Sequence, residues 1–118
     1  MLAAVYGSLR RGLGNHTLLR NNKLVGVQEV EGFTLWDYAS GAFPAITEGG
    51  DGKITIELYD INAADLSNLD GLEGYPHFYN RKVIQTDRGD AWIYYIEDDL
   101  SHLEQVEDGD WYMYLLNN

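Results

Sequence analysis

The sequence predicts an α+β fold: a small, mainly antiparallel β-barrel of about six strands with short helices packed outside it. Three observations lead there. Apolar residues recur at every second position, or in short unbroken runs, between clusters of Gly, Pro, Asn and Asp along most of the chain. Helical signals are confined to two short stretches, near residues 15–19 and 62–73. No repeat, linker or low-complexity tract interrupts the 118 residues, so a single domain over 1–118 is expected, long enough to bury a core without metal or disulfide.

Taken in order, residues 2–6 are an apolar run closed by Gly7, which suits a buried strand. The loop that follows holds Gly7, Gly12 and Gly14 with Ser8, Arg10 and Arg11, and Asn15 is placed to cap a short helix through Leu18 and Leu19. Such a strand, loop and helix can offer backbone N–H groups to an anionic ligand. A plain connection accounts for the pattern as well. Neither a Gly-Lys-Ser/Thr ending nor a GxGxxG spacing is present, so nucleoside phosphates are not indicated.

Val25, Val27 and Val30 predict a strand over 23–31 with an irregularity near Gln28 or Glu29. A second runs over 33–38, with Phe33 and Leu35 on one face and Trp36 and Tyr38 on the other. Pro44, Ala45 and Ile46 read as a short edge strand, and residues 48–52 as a hairpin connection. Over 53–60, Ile54, Ile56 and Leu58 alternate inward while Lys53, Thr55 and Glu57 face out. Strands return at 78–86 and, after a turn at 87–90, at 91–96, where AWIYYI is apolar on both faces. The acidic stretch 97–110 is expected on the surface until Trp111, Tyr112 and Tyr114 dock back.

The chemically informative stretch is LSNLDGLEGYP, residues 66–76. Asn62 caps its helix, with Asp65 completing a capping box, and Gly74 ends it in the left-handed conformation. At about 100° per residue, Glu73 lies roughly 20° around the helix from Leu66 and about 40° from Leu69. The acid therefore shares the apolar face, at the negative end of the helix dipole, and both terms raise its pKa. Fraying at Gly71 would instead leave Glu73 as a solvated last-turn residue.

Composition removes several function classes. Without cysteine there is no disulfide framework, thiolate nucleophile or cysteine-bound zinc, and His16, His77 and His102 show no ligand spacing. No cofactor is implied. A net charge of −11 argues against nucleic acid and anionic membrane surfaces as partners. The start MLAAVYGSLRR carries no charged leader, and no stretch approaches the roughly 20 apolar residues of a membrane span. A cytoplasmic protein is expected.

The segments VYGSLRRGLGN (5–15), GAFPAI (41–46), ELYDINAADLSNLDGLEGYPHFYNRKVI (57–84), AWIYYI (91–96) and GDW (109–111) keep an order and spacing. Together they resemble the γ-glutamylcyclotransferase-like family, in particular the branch of γ-glutamylamine cyclotransferase and AIG2-like proteins. The resemblance implies that Tyr6, Gly7, Ser8 and Leu9 form the substrate-binding turn, with Ser8 where many relatives have threonine. It implies that Glu73 is the general acid/base and that Tyr79 and Arg81 support the pocket. Gly7 is then the position that admits a ligand closely and can take a positive φ. The implied substrate is a small γ-glutamyl amine or γ-glutamyl amino acid, closed by its own α-amine to 5-oxoproline. Two other readings remain: a deacylase removing a γ-glutamyl group from a larger molecule, and a non-catalytic binding module on the same scaffold. If the loop and Glu73 serve one reaction, they must meet at one pocket.

Overall fold

The computed structural model describes residues 1–117. Six strands form one mixed sheet: β1 (Leu2–Val5), β2 (Leu24–Asp37), β3 (Pro44–Asp60), β4 (Asn80–Thr86), β5 (Gly89–Tyr95) and β6 (Glu104–Gln105). Their order is β4-β5-β1-β3-β2-β6, antiparallel throughout except for β1 beside β5. The sheet curls into a half-barrel. Its curl brings strands that are not neighbours into contact, so that the Ile96 N–H after β5 donates to Ile46 O on β3 at 2.9 Å.

The expected fold class holds, while several strand boundaries differ from expectation, β4 and β5 by about two residues at their starts. The segments expected at 23–31 and 33–38 are one strand, β2, and those expected at 44–46 and 53–60 are one strand, β3. The supposed hairpin at 48–52 is a bulge inside β3: register passes from Glu31↔Lys53 to Phe33↔Glu48, with Gly32, Gly49 and Gly50 all at positive φ. The pair bends there instead of ending. The irregularities of β2 fall at Leu24/Gly26 and Glu31/Phe33, not near Gln28.

Both faces of the sheet are covered, as parity along β1 shows. Ala3 and Val5 enter one apolar cluster with Leu19, Tyr59, Leu69 and Tyr94, while Ala4 enters the other with Leu35, Ile54, Ile56, Ile93 and Trp111. Ile54, Ile56 and Leu58 point inward as expected. Glu57 does not point out. It is buried, because the first loop and the 3₁₀ helix Gly14–Leu19 cover its face, and its carboxylate accepts from Arg10 Nε at 3.0 Å, the Arg11 N–H at 2.8 Å and Tyr59 OH at 2.7 Å.

Helix α1 (Ala63–Glu73) carries the expected capping box: Asn62 accepts from the Asp65 N–H, and Asp65 accepts from the Asn62 N–H. Gly74, at φ 65°, terminates it. The acidic stretch 97–110 is less peripheral than its composition suggests, since Leu100 and Val106 are buried and β6 pairs with Trp36 and Asp37. Helix α2 (Trp111–Leu116) then buries Trp111, and Asp110 caps it at the Met113 N–H.

Candidate active site

A cavity of about 240 Å³ opens between the first loop, the start of β3 and the end of α1. Tyr6, Gly7, Ser8, Leu9, Glu73 and Tyr79 all line it. The structure thus brings the loop and the acid together although at least 64 positions separate them (73 − 9).

Helix α1 sets the acid. Leu69, fully buried, fixes the helix against the sheet, and Glu73 follows one turn later, just before the Gly74 terminator. Glu73 is half-buried, and no side chain or backbone group among the described residues hydrogen-bonds to its carboxylate. Burial without compensation pushes its pKa from an ordinary 4.5 up to about 7. That places the carboxyl at the midpoint of its titration near neutral pH.

Three tyrosines stand within electrostatic reach of it. Burial raises the pKa of Tyr6, Tyr79 and Tyr94 well above the ordinary 10, and the Glu73 charge adds to the effect in each case. All three remain neutral phenols. Their protons are engaged elsewhere: Tyr6 OH donates to Tyr94 O, Tyr79 OH to Pro44 O, and Tyr94 OH to Asp70 Oδ1, each at 2.7 Å. These bonds hold the walls of the cavity rigid and leave the carboxylate of Glu73 open toward it.

The loop supplies the opposite wall. The Arg10 N–H closes a turn onto Gly7 O, and the Asn15 N–H donates to Ser8 O, while the N–H groups of Gly7, Ser8 and Leu9 meet no acceptor within the described residues. Free donors on a cavity wall are what an anionic or carbonyl oxygen requires. Gly7 is needed for a reason other than the one expected. Its φ lies outside the left-handed region, and a Cβ there would come within 2.8 Å of the Pro44 ring. The glycine lets loop and β3 close together.

A family model described as γ-glutamyl cyclotransferase, AIG2-like, matches residues 3–113. The chain belongs to this family. A Vibrio cholerae protein provisionally named a γ-glutamylcyclotransferase is 37% identical over 111 residues, covering 93% of this chain and 94% of its own. The γ-glutamylcyclotransferase family protein YtfP of Escherichia coli K12 is 36% identical over 107 residues, covering 91% and 92%. The fold also agrees with that of a Pyrococcus horikoshii protein, PH0828, at TM-score 0.84 and 24% identity over 99% of this chain and 94% of that one.

Against this γ-glutamylcyclotransferase-like frame, two readings of the sequence shift. Arg81, taken as a support at the pocket, does not line it: its guanidinium pairs with Asp70 at 2.9 Å and lies 4.3 Å from the ring centres of Tyr75 and Trp92. Its partner Asp70 also accepts from the hydroxyl of Tyr94, which does line the cavity. Asn15, taken as a helix cap, instead lines the cavity, and its Nδ2 donates to Ser8 Oγ at 2.9 Å. Asn15 directly follows the glycine pair of the loop, and that adjacency was the available signal. Phe43, Pro44 and Tyr94 also line the site; Phe43 reads as part of a turn and Pro44 and Tyr94 as strand residues, with nothing in those patterns to set them apart as site residues.

Proposed function

We propose that the protein is a γ-glutamyl cyclotransferase in which Glu73 is the catalytic general acid/base. The observation that carries this reading is a carboxyl held at about 7 in a cavity whose facing loop, Gly7 to Leu9, offers unpaired N–H groups.

In the proposed reaction the substrate's own α-amine attacks its γ-carbonyl carbon. Glu73 takes a proton from the α-ammonium group, the C–N bond of the five-membered ring forms, and charge develops on the carbonyl oxygen. The same carboxyl then gives that proton to the departing nitrogen as the amide bond breaks, and the second proton shed by the ring nitrogen passes to the released amine, leaving 5-oxoproline and an ammonium product. No water is consumed and no other nucleophile is required. Holding the folded substrate for attack accounts for roughly 7 to 11 kcal/mol of barrier in well-oriented intramolecular reactions. The loop N–H groups are assigned to the substrate's α-carboxylate, the one anionic group it carries in all forms. Tyr6, Ser8, Leu9 and Tyr79 complete the binding walls.

The test is mass-spectrometric detection of 5-oxoproline from γ-glutamyl amines and γ-glutamyl amino acids, with Glu73→Gln beside the parent. Loss of turnover by about 10² to 10⁴ with substrate binding retained is the expected result. Turnover by Glu73→Gln within tenfold of the parent would remove Glu73 from this role.

A further inference from the structure

We infer that Arg81 is a positioning residue for Glu73: its guanidinium locks the closing turn of α1 against β5, so that the acid faces the cavity instead of solvent. The inference rests on the reading of Glu73 as general acid/base and adds the device that holds it in place.

The closing turn of α1 has little hold of its own. Leu69 is fully buried, but beyond it Gly71 has no side chain to pack and Leu72 is 41% exposed. Glycine is the weakest helix former apart from proline, and Gly74 ends the helix three residues later. A turn with Gly71 inside it and Gly74 behind it frays readily, and a frayed turn would carry Glu73 into water.

Arg81 bridges this weak point from both sides. Its Nε donates to Asp70 Oδ1 at 2.9 Å and its Nη2 to Asp70 Oδ2 at 3.2 Å, a two-point grip on the residue just before Gly71. On the far side of Glu73, the guanidinium carbon lies 4.3 Å from the centre of the Tyr75 ring. The same carbon lies 4.3 Å from the centre of the Trp92 ring on β5. Strand register explains the meeting. Arg81 pairs with Tyr94, and Val83 with Trp92, so Arg81, Tyr94 and Trp92 share one face of the β4–β5 pair. Tyr94 OH adds a third bond to Asp70, at 2.7 Å to Oδ1. A planar fork that grips a carboxylate while stacking on two rings is a task that a lysine cannot reproduce.

Direct charge and positioning make opposite predictions for Glu73. The titratable groups facing its carboxyl are Tyr6 just after β1, Tyr79 ahead of β4 and Tyr94 on β5, all neutral phenols. Among the described residues no lysine or arginine lines the cavity beside them. Loss of the Arg81 charge, with Asp70 left unpaired, would by itself raise the pKa of a nearby carboxyl. Release of the turn admits water and lowers it from about 7 toward the ordinary 4.5. A downward shift is therefore the signature of positioning.

The experiment titrates Glu73 itself, by NMR of carbon-13 side-chain carboxyls in the full chain labelled at glutamate, with its signal assigned by absence from Glu73→Gln. The variants are Arg81→Met and two milder ones, Arg81→Lys and Tyr75→Leu. The expected midpoint is about 7 in the parent, about one pH unit or more lower in Arg81→Met, and intermediate in the other two. The acid limb of kcat/KM on a γ-glutamyl amine should move down in step, which a smaller folded fraction would not produce. Should Arg81→Met fail to fold, Arg81→Lys and Tyr75→Leu decide the matter alone. A midpoint unmoved or raised in the folded variants, or already near 4.5 in the parent, overturns the inference. A downward shift in variants of a parent that forms no 5-oxoproline would instead refute the cyclotransferase reading and leave the positioning of the carboxyl standing.

Discussion

Glu73→Gln should stabilise the folded protein, and only above the pH at which free glutamate ionises. The argument follows from the site: burial raises the carboxyl from 4.5 to about 7, with no hydrogen bond to offset the cost. A group whose folded pKa exceeds its unfolded value contributes stability that is fully present below the unfolded pKa and is lost as pH rises through the folded one. Below about pH 4.5 the protonated acid and the amide are near-isosteric, and the two proteins should be equally stable. Between 4.5 and about 7 the parent falls progressively behind, and above 7 the gap levels off. At 1.36 kcal/mol per pH unit the plateau is roughly 3 kcal/mol, an upper bound because the half-buried carboxylate retains some solvent. For a chain of this size that corresponds to a Tm difference on the order of 10 °C. Thermal melts of both proteins from pH 4 to 9, followed by circular dichroism, give the curve directly. A constant difference across that range, or a parent more stable than Glu73→Gln at pH 8, would refute the claim that the folded state pays to ionise this carboxyl.

The same displacement predicts an acid limb in kcat/KM, rising with pH and bending near 7 as Glu73 becomes the base; a profile flat from pH 5 to 8 would exclude it as the titrating group. Gly7→Val drives a side chain into the Pro44 ring, where the Cβ alone approaches to 2.8 Å, and should cost roughly 1 to 3 kcal/mol in urea denaturation together with loss of substrate binding. Unchanged stability and Kd would show that loop and β3 do not close on each other. Glu57→Ala leaves the buried Arg10 guanidinium with Asp110 alone and should destabilise by about 3 to 5 kcal/mol, whereas Arg10→Met with Glu57→Leu should recover most of that loss; equal stabilities of the single and double variants would show that the pair is not coupled.

Much of the fold was legible because local signals and packing agree. Asn62 and Asp65 close their capping box without help from the rest of the chain, and Gly74 stops the helix by its own freedom at φ 65°, so both ends of α1 could be read from residue types. Glu73 was legible for a related reason: helical spacing alone puts it on the face that Leu69 buries. The long β2–β3 pair was not. Glycines at 32, 49 and 50 signal a turn in sequence, yet a bulge uses the same positive φ values, and only pairing across the two strands distinguishes them. Asn15 was misread on similar grounds, since the residue type that caps a helix also hydrogen-bonds a neighbouring loop, and the partner chosen, Ser8, depends on how the loop folds back.

The misplacement of Glu57 carries the larger lesson for the site. Period-two alternation separates two faces of a strand without saying that either meets water. In this half-barrel the first loop and the 3₁₀ helix lie over the face that alternation would assign to solvent, so an acid there must find partners or lose its charge. Glu57 finds Tyr59 on its own strand, and Arg10 and the Arg11 N–H on the same loop whose Gly7, Ser8 and Leu9 line the cavity. Glu73, four positions past the buried Leu69, finds none, and its pKa rises instead. Two carboxylates of one chain are thus treated oppositely: the one that anchors the loop is fully bonded, and the one left without partners opens onto the space the loop defines. If the anchoring acid were lost, the free donors of Gly7, Ser8 and Leu9 would no longer be held opposite Glu73. Glu57→Gln is therefore the milder probe of that coupling: it keeps an acceptor for the Arg11 N–H but removes the charge that binds Arg10, and should weaken substrate binding more than it slows turnover by bound enzyme. A fall in kcat with unchanged KM would place its effect on the acid rather than on the loop.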